Sequence, residues 1–158
     1  MKKEYGCLML KCYFKDWDKC LSLIPDDIVF DDETHSYGKE TEPHITILFG
    51  FHKEKDNVEK IKKYLLDNIK DPIKYTITGI STFDNPKFTV LKLDVESKEL
   101  TELNDYFKNN FDHTNEHKIY HPHITLAYIK KEFTNNIPKN FKIKKTITLE
   151  SKGFKYSA

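Results

Sequence analysis

The sequence has no arginine. Any anion it handles is therefore held without a bidentate guanidinium clamp. Its three cysteines, Cys7, Cys12 and Cys20, are odd in number and form no CxxC pair. With no secretory leader in view, that usage excludes a disulfide framework and predicts free, mostly buried thiols in a reducing cytoplasm. Trp17 is the single tryptophan. No apolar run approaches the roughly 20 residues needed to span a membrane. No linker, low-complexity tract or close repeat divides the chain. Charge of one sign is also lacking: the formal net charge is +1. A binder of long duplex nucleic acid is normally far more basic, so a small anionic ligand fits better.

What is present is enough for one folded domain over residues 1–158, with 38% hydrophobic and 13% aromatic residues. Charge is uneven. Seven acids lie between Asp26 and Glu42 against Lys39 alone, and eight lysines follow Tyr128 against Glu132 and Glu150. Solvated faces account for most of this; the C-terminal lysines are also candidates to attract a phosphate.

Hydrophobic spacing predicts a buried strand over 5–14, a short helix opened by Asp16-Trp17-Asp18 and stopped by Pro25, and a polar loop from Asp31 to Thr41. A strand over 44–51, a helix over 56–69, strands over 73–82 and 88–95 around an Asp84-Asn85-Pro86 turn, and a helix over 98–111 follow. A strand over 123–129 and a last strand or hairpin over 143–156 close the chain. This order predicts an α+β domain with two similar halves.

Each half carries one copy of a short pattern. Glu42-Pro43-His44-Ile45-Thr46-Ile47-Leu48 occurs in the first, and His121-Pro122-His123-Ile124-Thr125-Leu126-Ala127 in the second. Side chains alternate along a strand, so His44 and Thr46 share one face and Ile45 and Ile47 the other. His123 and Thr125 are set the same way, opposite Ile124 and Leu126. Each strand thus presents an imidazole beside a hydroxyl and buries an aliphatic back. Phosphodiester cleavage uses such a pair. One imidazole takes the proton of an attacking hydroxyl, the other protonates the departing oxygen, and the threonines donate to the non-bridging oxygens. No metal or cofactor is called for.

These motifs resemble those of the two-histidine (2H) phosphoesterases. The resemblance implies a bilobal α+β fold, two antiparallel sheets flanking a central cleft with helices outside, His44 and His123 as acid and base, and Thr46 and Thr125 on the phosphate. A narrower resemblance, carried by Tyr5-Gly6-Cys7-Leu8-Met9-Leu10 and by the segment Glu40 to His52, is to the phage anti-CBASS phosphodiesterases, which degrade cyclic oligonucleotide messengers of a bacterial immune system. It implies a small cyclic nucleotide substrate, no long nucleic acid, no membrane, a monomer, and the host cytosol. RNA-end processing on 2′,3′-cyclic phosphates and a non-catalytic nucleotide sponge are the competing readings.

Secondary candidates for substrate binding are Tyr13 at the end of the first strand, Tyr37 in the polar loop, Glu150 on the polar face shared with Thr146 and Thr148, and Phe154 after it. The histidines His113, His117 and His121 are a weaker candidate for metal.

Overall fold

A computed structural model describes residues 5–12, 15–31, 38–52, 57–115, 119–137, 147–151 and 153–157. Among these residues seven strands and three α-helices follow in the order β1 (Tyr5–Lys11), α1 (Trp17–Ser22), β2 (His44–His52), α2 (Asn57–Asn68), β3 (Ile73–Asp84), β4 (Phe88–Glu96), α3 (Lys98–Asn110), β5 (His123–Lys130), β6 (Ile147–Ser151) and β7 (Phe154–Ser157). The helices lie where apolar residues recur at helical spacing. Ile61 and Leu65 are buried on α2, and Leu100, Leu103 and Phe107 on α3. Ser97 caps α3, its hydroxyl accepting from the Leu100 N–H at 3.2 Å. Among the described residues no helix is long and apolar enough to cross a membrane.

The strands form one antiparallel sheet in the order β6-β3-β4-β5-β2-β1-β7. The two sheets expected from sequence are its two parts, β6-β3-β4-β5 and β2-β1-β7. They join at a single pair, Ile45 opposite Ile124. Beyond that pair the edge of β5 is taken by the preceding loop: Glu40 N–H donates to the Leu126 carbonyl, and Phe30 N–H to that of Tyr128. The sheet therefore opens at the motif strands, which is where a cleft is needed.

Of the last strand or hairpin expected at the chain end, the structure has two strands that do not pair with each other. β6 pairs with β3 and β7 with β1, at opposite edges of the sheet. Three peptide units link Ser151 to Phe154 and reach at most about 11 Å. The two edges must therefore converge at this corner, so the sheet is strongly curled.

One face of the sheet is packed. Leu8, Leu10, Ile45, Ile47, Leu93, Ile124 and Leu126 are each at most 1% exposed. Burying such a side chain contributes about 1.5–3 kcal/mol, and this anchors the backs of both motif strands. β2 carries a bulge after Thr46, since Met9 pairs with Thr46 but Leu8 with Leu48. The Ile47 carbonyl freed there accepts from the buried Asn104 amide of α3 at 2.7 Å. Gly50 has φ +96°, a left-handed conformation that suits glycine. A Cβ there would run into the Thr114 carbonyl. Thr114 N–H donates to the Gly50 carbonyl at 2.9 Å, tying the approach to β5 against β2.

Candidate active site

The first residue of β2 is His44 and the first of β5 is His123, each directly after a proline. Proline fixes its own φ and pushes the residue before it into an extended conformation. The result is the same clamp twice. The His44 Nδ1 lies 3.1 Å from the Glu42 carbonyl, and the His123 Nδ1 lies 2.9 Å from the His121 carbonyl. A carbonyl only accepts, so both Nδ1 atoms carry the hydrogen. That leaves Nε2 on each ring for proton transfer. The prolines are fixed alike: Pro43 carbonyl accepts from Cys12 N–H at 2.9 Å, and Pro122 carbonyl from Val95 N–H at 3.1 Å.

Around the Ile45–Ile124 pair, the antiparallel register sets Thr46 beside His123 and His44 beside Thr125. All four side chains are half-buried on the face opposite the core. Thr46 is held through its backbone, whose carbonyl accepts from the Tyr120 hydroxyl at 2.8 Å. The Cys7 thiol lies beside Thr46. Burial raises its pKa, and the hydrogen bond with Thr46 opposes that only in part.

β4 adds a charged group that the sequence reading did not select. Lys92 pairs with Thr125 and Asp94 with His123. The Lys92 ammonium donates to Asp94 Oδ1 at 2.6 Å and to Ser81 Oγ at 2.6 Å, and Ser81 donates to Asp94 Oδ1 at 2.7 Å. Burial alone would raise the Asp94 carboxyl. The bonds from Lys92 and Ser81, with the charges of Lys92 and His123, outweigh it and hold the carboxyl below its ordinary value. His123 is shifted downward, chiefly by burial. The charges of Lys92 and His44 push the same way, against the His121 carbonyl and Asp94. The His44 charge is felt at His123, and both histidines stand on the face of the joined strands opposite the core.

A cavity of about 360 Å³ opens beside His44, lined by Met9, Lys11, Glu40, Glu42 and Lys155 among others. On the other side Phe83, 44% exposed, sets its ring edge-on to His123 with centroids 6.3 Å apart.

The secondary candidates fare differently. Phe154 pairs with Leu10 and lies with Leu65, Leu66 and Ile69 of the α2 region, on the core side of the sheet. It is not at the cleft; its neighbour Lys155 is, because β7 presents alternate residues to the two faces. Glu150 pairs with Lys74 on an edge strand, with β3 and β4 between it and β5. Tyr13, Tyr37 and His117 lie outside the described residues. His113 is not on a helix; it bridges Phe51, with its Nδ1 2.9 Å from the Phe111 carbonyl. Among the described residues, no three His, Cys, Asp or Glu side chains are grouped to hold a metal.

A family model described as the 2′-5′ RNA ligase superfamily matches residues 30–141, a span that includes both motifs. No curated protein matches the chain. Among solved structures, Kluyveromyces marxianus Usb1 with uridine monophosphate is similar at a TM-score of 0.56 and 9% identity, over 83% of this chain and 73% of that one. At that identity the likeness speaks for the α+β fold alone.

Proposed function

The chain belongs to the 2′-5′ RNA ligase superfamily of two-histidine phosphoesterases, and we propose that the bond it cleaves is the 3′–5′ bond of cyclic di- or oligonucleotide messengers. It is a phosphodiesterase; the cyclic messenger, and with it the evasion of a bacterial immune system by a phage, is the proposed part. The observation that carries the chemistry is the paired clamp on adjoining strands, two imidazoles with Nδ1 on a carbonyl and Nε2 left to exchange protons.

In this reading a ribose 2′-hydroxyl attacks the neighbouring phosphorus. His123 takes the hydroxyl proton, the P–O5′ bond breaks, and the 5′-oxygen takes a proton from His44. Thr46 and Thr125 donate to the non-bridging oxygens as charge grows there. The product is linear and ends in a 2′,3′-cyclic phosphate. His123 is given the base role because burial and Lys92 favour its neutral form. Base activity requires that neutral form, so a lowered pKa extends activity toward acid. The acidic limb of kcat/KM is expected below the ordinary imidazole value of about 6.5. A pH profile with that limb above 7 would contradict His123 as the base.

A compact ligand is supported by the near-neutral charge and by a cavity of small-ligand size beside His44. The narrower resemblance over Tyr5–Leu10 and Glu40–His52 supports a cyclic ring. The family's own description, which names RNA ligation, favours a second reading, action on RNA ends, for which a 2′,3′-cyclic phosphate end is the substrate to test. Incubation with 3′,3′-cyclic di-AMP, 3′,3′-cyclic GMP-AMP, 2′,3′-cyclic AMP and an RNA with a 2′,3′-cyclic phosphate end separates them. Ring opening is the expected result. Turnover of the cyclic phosphate ends alone moves the assignment to RNA ends, and tight binding without turnover makes the protein a sponge.

A further inference from the structure

We infer that Lys92 is the cationic phosphate-binding group of this site, seated beside Thr125 in a chain that has no arginine to place there. The inference rests on phosphodiester chemistry at His44 and His123, and not on which nucleotide is cleaved.

Lys92 stands in the run Val90-Leu91-Lys92-Leu93-Asp94-Val95, whose four apolar members are buried. Its side chain is only 16% exposed. Lysine is seldom buried that far unless its charge is held. Here Asp94 and Ser81 hold it at 2.6 Å each. An ammonium has three N–H groups. Among the described residues, two are engaged in this way. Register sets the residue next to Thr125, on the face where His123 also stands. The third N–H is thus available to a phosphate oxygen already bonded to that threonine.

The chemistry needs such a group. Threonine hydroxyls are neutral donors, whereas a bond from a cation to an anionic oxygen is roughly twice as strong. Asp94 and Ser81 fix the lysine before substrate arrives, so no side-chain ordering is required at the moment of reaction. The same ammonium disfavours a proton on His123, as the base role requires. The charged and titratable groups facing that imidazole are Lys92 and Asp94 from β4 and His44 from β2.

The test compares Lys92→Met, Lys92→Arg, Asp94→Asn and the double variant Lys92→Met/Asp94→Asn. Two readouts are needed: calorimetric binding of inorganic phosphate and adenosine 3′-monophosphate, and kcat/KM on the best substrate of the panel. Lys92→Met and the double variant are expected to bind both anions more weakly and to lose on the order of 10²-fold in kcat/KM. Lys92→Arg should recover part of that loss, and Asp94→Asn should lose clearly less than Lys92→Met. Equal losses from Lys92→Met and Asp94→Asn, with recovery in the double variant, would make the pair a structural ion pair and overturn the inference. Unchanged anion binding in Lys92→Met would overturn it too. The anion readout does not depend on turnover, so failure of the cyclic-nucleotide reading is distinguishable from failure here.

Discussion

Alanine in place of His123 is expected to lower kcat by roughly 10²- to 10⁴-fold, the usual contribution of one positioned acid or base, while substrate affinity changes little. His44→Ala should do the same. The asymmetry between kcat and binding follows from where the rings sit. Each Nδ1 is already committed to a carbonyl, so the ring adds little to ground-state binding beyond what the threonines and lysines supply. In the proposed route its contribution comes when Nε2 moves a proton. Both histidines are half-buried and neither lies in the packed core. The variants should therefore fold, and a melting temperature near wild type would separate lost chemistry from lost structure. Steady-state kinetics with direct ligand titration reads both quantities. A variant that loses affinity but keeps kcat would mean the imidazole binds and does not catalyse.

Removing the 2′-hydroxyl from the substrate is expected to abolish cleavage altogether. In the proposed route that hydroxyl is the nucleophile, so a 2′-deoxy ring leaves His123 with no proton to take. Binding should survive, since the phosphate still meets Thr46, Thr125 and the cleft-side lysines. Competition of the deoxy ring against the ribose ring, followed by chromatography of the products, measures both effects. Retained cleavage of the deoxy ring would point to attack by water, and the products would then lack a 2′,3′-cyclic phosphate.

The motif strands were legible because strand parity is local. Proline before histidine, an aliphatic residue between histidine and threonine, and an apolar continuation define a face without tertiary information. The element order followed from spacing in the same way, with boundaries within two residues for the helices and the central strands. What sequence did not reveal depends on pairing across the sheet. Lys92 and Asp94 belong to a strand about thirty residues before His123, and only the β4–β5 register sets them next to the second motif. Their signal was a lysine and an aspartate two apart in an apolar strand, a costly arrangement unless the charges are held. Phe154 illustrates the converse. The end of the chain allows a last strand or a hairpin, yet β6 and β7 complete different edges, and the face Phe154 takes is set by its pairing with Leu10. Tyr120, three residues before His123, carries no local signal because its hydroxyl bonds the backbone of the other half of the molecule.

The most direct test of the central claim, that His44 and His123 act as one acid–base unit on a single phosphodiester, is the rate of the His44→Ala/His123→Ala double variant beside the two single ones. Groups that act as a unit are not additive. The double variant is predicted to fall no more than about tenfold below the slower single variant. A double variant slower by the product of the two single losses would show two independent contributions and contradict the account, as would full activity in either single variant.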